Sequence, residues 1–90
     1  MFIPGKLYQI TIPFYTLWKN DKLLDFPSQA HLVKRNAILL CLEAKKMNSE
    51  NIGDYIIINF LYDKEIYYRV YAIKAKDLTL NWKYGITEIL

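Results

Sequence analysis

The chain has 90 residues, of which 53% are hydrophobic and 16% aromatic, and its formal net charge is +3. This composition excludes intrinsic disorder, which requires low hydrophobicity and high net charge, and the length suits one small domain over residues 1–90. Dedicated nucleic-acid-binding proteins are usually more basic, so the charge alone assigns no partner.

Cys41 is the only cysteine, which rules out an internal disulfide and favours a reducing, intracellular environment. The first residues lack the charged leader and apolar core of a signal peptide, and no apolar run reaches the roughly 18–20 residues of a membrane span. We therefore expect a cytoplasmic protein. Ile, Lys, Asn, Tyr and Phe have AT-rich codons and are abundant, which predicts a gene from an AT-rich genome. Many bacteriophages have such genomes, and for a viral protein the expected location is the host cytoplasm.

The N-terminal third predicts two short strands and an irregular segment. Alternation over residues 5–12 places Tyr8, Ile10 and Ile12 on one strand face, and Pro13 ends that strand or places it at an edge. β-Forming residues continue from 14 to 19, before a turn signal at 20–21. Further on, the sequence predicts either one helical turn near 28–33, with Ser28 as its N-cap, or a surface loop.

The rest of the chain predicts a strand, a loop, a long hairpin and a final strand. Strand character resumes over 37–45, with Leu39, Cys41 and Glu43 on one face. Turn-forming residues at 48–53 predict a loop, and the hairpin then extends from Asp54 to Asp77. A tight turn near 81–85 precedes a last strand at 86–90.

Five or six strands without a strong helix predict an all-β fold. The expected architecture is a small barrel, because closure removes the sheet edges that otherwise promote aggregation. The short loops favour an SH3-like barrel, and an OB-like barrel is the alternative. Neither architecture assigns a function by itself.

Both faces of the long hairpin are apolar or aromatic. A sheet with one face in water alternates apolar and polar residues, and the arms at 55–62 and 66–73 hardly do. We therefore expect another sheet, a second copy of the chain or a partner protein to cover the second face.

The loop length at the hairpin tip decides which side chains share a face. A three-residue loop, 63–65, pairs Phe60 with Tyr68 and Ile58 with Val70, and it places Arg69 on the outer face. A two- or four-residue loop would place Arg69 on the core face, where an unpaired guanidinium is costly. The three-residue loop is therefore preferred, although such loops favour a glycine and this one has none.

The outer face predicted in this way contains the candidate protein-binding residues Tyr55, Tyr67, Arg69 and Tyr71. Tyrosine and arginine are common anchors at protein interfaces. Alternatively, a terminal strand packs over this face and makes it a second part of the core.

No residue pattern predicts catalysis, a metal site or a cofactor. His31 is the only histidine, and a structural zinc site normally needs four Cys or His ligands. Cys41 lies between two leucines, which predicts a small buried hydrophobic residue and not an activated nucleophile. The acidic residues are scattered, and the three glycines are too far apart for a phosphate-binding loop. We therefore predict that the protein is not an enzyme.

The leading hypothesis is a non-catalytic protein-interaction module, such as a viral accessory or structural protein, that binds another protein or itself. The alternative is a nucleic-acid-binding barrel, in which lysines track the phosphates and aromatic rings stack on bases. The residues that would form this second surface are Lys74, Lys76, Trp82, Lys83 and Tyr84. The sequence indicates neither a membrane partner nor a small-molecule substrate.

Overall fold

The protein is all-β, as the sequence predicted. A computed structural model describes residues 2–16, 18–19, 22–23, 31–51 and 53–89. These residues form β1 (Leu7–Ile10), β2 (Phe14–Thr16), β3 (Trp18–Lys19), β4 (Lys22–Leu23), β5 (His31–Val33), β6 (Ile38–Ser49), β7 (Gly53–Tyr62), β8 (Glu65–Ala72), the 3₁₀ turn η1 (Leu78–Leu80) and β9 (Ile86–Glu88). No helix long and apolar enough to cross a bilayer occurs within these ranges.

The strands form two sheets. Seven of them make one antiparallel sheet in the order β4-β3-β8-β7-β6-β1-β9, and β2 pairs with β5 in a second sheet. The predicted strand over 14–19 is therefore two strands, β2 and β3, that belong to different sheets. In the described residues, the edge strands β4 and β9 do not pair with each other, so the predicted closed barrel is not found.

Three predicted elements differ from the observed ones. β1 ends at Ile10, and Ile12 is exposed instead of joining the buried face with Tyr8 and Ile10. The predicted helical turn lies partly outside the described residues, and its remaining part, 31–33, is strand β5. The predicted loop at 48–53 is shorter than expected: residues 50–51 are a turn, but β6 continues to Ser49 and pairs with the start of β7 at Gly53.

A β-bulge in β6 changes which residues face the core. Leu39 and Cys41 are both buried and share one face, as the alternation predicted for the face. The register shifts between Cys41 and Glu43, so Leu42 is an extra residue. After the bulge, Ala44 packs against the core and Glu43 pairs with Asn59 on the opposite face. Bulges insert one residue and reset the alternation of a strand in this way.

The hairpin tip is a two-residue turn, so the three-residue loop predicted from the sequence is wrong. Tyr62 pairs with Glu65, and only Asp63 and Lys64 lie between the arms. Both have positive φ, 51° and 65°, which is the geometry of a type I′ turn. The backbone twist of this turn matches the right-handed twist of the flanking strands. The stability gained from this match outweighs the cost of placing two non-glycine residues in the left-handed region.

The two-residue turn places Arg69 on the core-facing side of the sheet. Ile58 pairs with Arg69, Phe60 with Tyr67, and Ile56 with Tyr71. Because paired residues share a face, Tyr67 and Tyr71 lie with the buried side chains, and both are almost fully buried, at 1% and 3% exposure. The prediction that Tyr67 and Tyr71 lie on an exposed outer face is therefore wrong, because it assumed the three-residue register.

The core lies between the inner face of the large sheet and the small sheet. Phe60 stacks on Tyr67 with 5.9 Å between ring centres, and Phe14 of β2 packs edge-on against Phe60 at 6.2 Å. Val33 of β5 is fully buried in the same cluster. The small sheet therefore covers the inner face of the hairpin, whereas Leu61, Ile66 and Val70 of the outer face are exposed.

Replacing Lys64 with glycine should stabilise the protein. Glycine adopts positive φ without the cost of about 1–2 kcal/mol that other residues incur, and its greater loss of entropy on folding offsets about half of that gain. We expect Lys64→Gly to raise the free energy of unfolding by about 0.5–1 kcal/mol, as measured by urea denaturation. Lys74, whose φ is not positive, is the control, because Lys74→Gly should be neutral or destabilising. A lower stability for Lys64→Gly would contradict the type I′ turn.

Candidate functional site

The outer face of the large sheet contains a row of four aliphatic side chains, one from each of four adjacent strands. Leu7 of β1 pairs with Leu40 of β6, Leu40 pairs with Leu61 of β7, and Leu61 pairs with Ile66 of β8. Leu7, Leu61 and Ile66 are exposed, and Leu40 is half-buried. We call these four residues the aliphatic row. With a strand spacing of about 4.8 Å, the row extends for about 14 Å across the sheet.

The surroundings of the aliphatic row are also partly apolar. Ile38, Leu42 and Val70 are exposed as well, at 40–45%, and Ile57 pairs with Val70 on the same face. Isolated surface aliphatics are normal, but a contiguous set on one sheet face is typical of an interaction surface.

Two opposite charges lie beside this apolar surface. Glu43 and Lys45 are exposed residues of β6, and their partners in β7 are Asn59 and Ile57. The Asn59 side chain donates a hydrogen bond of 3.4 Å to the Glu43 carboxylate. The row itself contains no charged residue, so it can be covered without burying a charge.

The structure separates the four predicted protein-binding residues. Tyr55 is half-buried and pairs with Ala72 on the outer face, whereas Tyr67 and Tyr71 are in the core. Arg69 is half-buried on the inner side, and its guanidinium centre lies 4.1 Å from the Phe14 ring centre and 5.2 Å from that of Tyr71. Residues with so little exposure as Tyr67 and Tyr71 offer almost no surface to a partner.

Arg69 lies at the wall of a cavity of about 320 Å³. Three segments of the chain supply its other walls, with Ile12 and Tyr15 at one side, Thr79 of η1 at another and Tyr84 at a third. The guanidinium connects these segments, because Nη1 donates to the Tyr15 carbonyl at 3.4 Å and Nη2 donates to the Thr79 carbonyl at 3.5 Å. We call this cavity the Arg69 pocket.

Tyr71 also lines the Arg69 pocket. Burial raises the pKa of the Tyr71 hydroxyl, and the Arg69 guanidinium acts in the opposite direction and lowers it. Because tyrosine already titrates near pH 10, the Tyr71 hydroxyl is protonated at neutral pH and carries no charge to neutralise the guanidinium.

His31 and Cys41 lie in the packed interior region. His31 is a residue of strand β5. Its ring lies 5.1 Å from the Tyr67 ring and 5.6 Å from the Tyr62 ring. Cys41 is almost fully buried, and burial raises the pKa of its thiol. A protonated, inaccessible thiol is a poor nucleophile. Within the described ranges, no three His, Cys, Asp or Glu residues cluster as metal ligands.

The predicted nucleic-acid-binding residues are only partly available for stacking. The Trp82 ring packs edge-on against buried Phe2 at 5.9 Å, and the Lys83 ammonium lies 5.2 Å from the centre of the Trp82 ring. Tyr84 is exposed at 41% and lines the Arg69 pocket. Lys74 and Lys76 are exposed, as ordinary surface lysines are.

Comparison with known proteins adds no relative. No protein-family model matches the chain, and searches of curated proteins and of solved structures gave no match. The function is therefore inferred from the residues and their geometry.

Substitution of Tyr71 distinguishes a structural role of this residue in the core from a direct role in binding a partner. Because Tyr71 is buried next to the Phe2 ring, with 5.2 Å between ring centres, we expect Tyr71→Ser to lower the free energy of unfolding by about 3–5 kcal/mol. Tyr15, which is 53% exposed, is the matched control, and Tyr15→Ser should cost less than about 1 kcal/mol. Chemical denaturation of both variants measures the difference. Equal stabilities would show that Tyr71 is not part of the core.

Proposed function

We propose that the protein is a non-catalytic protein-interaction module and that the aliphatic row on the outer sheet face is its contact surface. The observation that carries this proposal is the direct pairing of Leu7, Leu40, Leu61 and Ile66 across four strands. Covering apolar surface is worth about 25 cal/mol per Å². A partner that covers this row gains that energy without desolvating a charge.

The partner proposed is a second copy of the same chain. An uncharged aliphatic row is best matched by another uncharged apolar surface, and a second copy presents one. In a two-fold symmetric dimer the same patch faces itself. Glu43 and Lys45 have opposite charges and lie beside the row on the same strand face, so self-association does not place a single-sign patch against itself.

The size of the face predicts a weak dimer. The row extends about 14 Å across the strands. More than a third of the residue surface is exposed at three of its positions, Leu7, Leu61 and Ile66. Standard interfaces bury about 800 Å² per partner, and smaller ones are typical of transient complexes. We therefore expect association in the micromolar range, with the two sheets packed about 10 Å apart.

The finer SH3-like architecture is part of this proposal. The three longest strands, β6, β7 and β8, form a meander at the centre of the large sheet, and the small sheet covers its inner face. This arrangement is compatible with a half-open barrel whose outer wall is the contact surface. Small β-barrels commonly bind partners through one wall and the adjacent loops.

Removing two members of the aliphatic row should weaken the dimer. Threonine is β-branched, which strands favour, but is polar, so Leu61→Thr combined with Ile66→Thr should preserve the fold. We expect the dissociation constant to rise at least about tenfold, which corresponds to about 1.4 kcal/mol. Sedimentation velocity over a concentration series measures the change.

The matched control removes two aliphatic side chains elsewhere that are more exposed than Leu61 and Ile66. Leu78 and Leu80 of η1 are exposed and lie outside the row, so Leu78→Thr with Leu80→Thr should leave the dissociation constant unchanged. A wild-type mass of one chain at every concentration would contradict the second copy as partner. Equal weakening by both double variants would contradict the assignment of the contact to the aliphatic row.

A further inference from the structure

The Arg69 pocket has the size and lining of a small-molecule site. Its volume of about 320 Å³ lies at the lower end of the range for ligand pockets, about 300–1,000 Å³. Apolar residues of the lining are Ile12, Pro13 and Phe14, while Thr79 and Tyr84 are polar. A mostly apolar cavity with a few converging polar groups is the usual form of a ligand site.

The positive charge of Arg69 is not neutralised by an acidic side chain among the described residues. The described ion pairs join Lys6 to Glu88 and Lys19 to Glu65, and none of the residues that line the pocket is acidic. The nearest acid in sequence to Thr79 is Asp77, whose carboxylate already accepts from the Thr79 amide at 2.9 Å and the Thr79 hydroxyl at 2.8 Å.

Arg69 also retains hydrogen-bonding capacity. A guanidinium has five N–H donors, and its two bonds to backbone carbonyls are long, at 3.4 and 3.5 Å. Its Nε is buried and has no hydrogen-bond partner. Because Nε is inaccessible, an anion in the pocket would accept from the terminal nitrogens Nη1 and Nη2, whose bonds to the two carbonyls are long.

The guanidinium is already positioned to bind an anion. The Phe14 and Tyr71 rings contact it at 4.1 and 5.2 Å, and the carbonyls of Tyr15 and Thr79 hold its two terminal nitrogens. Such contacts reduce the entropy that an arginine loses on binding, and the planar fork matches a carboxylate. Since only one cation lines the pocket, a single negative charge is better matched than a dianionic phosphate.

We propose that the Arg69 pocket binds a small organic carboxylate with an apolar or aromatic body. The carboxylate accepts hydrogen bonds from the Arg69 guanidinium, and the apolar body contacts Ile12, Pro13 and the neighbouring rings. The site lies on the inner side of the sheet, opposite the aliphatic row, so this proposal does not depend on the proposed function.

Titration of the ¹⁵N-labelled protein with benzoate and with benzamide tests the charge requirement. The two probes share the aromatic ring, and only benzoate carries the carboxylate. We expect benzoate to shift the Thr79 and Tyr15 amide resonances and the Arg69 Nε–H resonance, with a dissociation constant in the millimolar range or tighter, and benzamide to bind at least about tenfold more weakly. No benzoate binding, or equal binding of both probes, would overturn the proposal.

The two arginines of the chain provide matched variants. Arg35 is exposed and does not line the pocket, so Arg35→Met should bind benzoate like the wild type, whereas Arg69→Met should bind at least about tenfold more weakly. If Arg69→Met does not fold, the benzoate and benzamide comparison on the wild-type protein decides alone. Inorganic phosphate is the third probe, and tighter binding of phosphate than of benzoate would overturn the carboxylate assignment.

Discussion

The two-residue turn at Asp63 and Lys64 sets the register of the β7–β8 hairpin, and the composition of both sheet faces depends on it. Side chains alternate between faces with a period of two, so a shift of one residue moves every side chain of one arm to the opposite face. With this turn, Tyr67 and Tyr71 face the core, while Ile66 and Val70 are exposed. The aliphatic row exists only in this register, because it needs Ile66 opposite Leu61.

The same register brings a charged residue to the inner side of the sheet. Arg69 is accommodated there without a carboxylate among the described residues, through the Phe14 and Tyr71 rings and two backbone carbonyls. Cation–π contacts of this kind contribute about 0.5–2 kcal/mol each, depending on desolvation. They reduce the cost of burying the guanidinium and leave it with unused donors at the wall of a cavity. The turn therefore determines both the outer contact surface and the inner pocket.

Local patterns predicted much of the fold. Alternation correctly placed Tyr8 with Ile10 and Leu39 with Cys41 on common strand faces, and these faces are buried. The apolar character of both hairpin faces predicted a cover over the second face as well. Among the described residues the small sheet packs on the inner face, whereas Leu61, Ile66 and Val70 of the outer face are exposed.

The errors came from interactions that the sequence does not display. The Asp63–Lys64 turn lacks the glycine that marks type I′ turns, and the cost of burying Arg69 was overestimated because its aromatic and carbonyl contacts are formed by distant segments. The aliphatic row could have been found by testing the two-residue register. Even then, Leu7 joins the row only through the pairing of β1 with β6, which is non-local.

The measurement that tests this account most directly is the pattern of cross-strand NOEs in the hairpin. Hα atoms of opposite residues approach closely at the non-hydrogen-bonded pairs of antiparallel strands. The two-residue turn predicts Hα–Hα NOEs between Asn59 and Tyr68 and between Ile57 and Val70. NOEs between Leu61 and Tyr67 and between Asn59 and Arg69 would instead demonstrate the three-residue register, and both the aliphatic row and the Arg69 pocket would then be wrong.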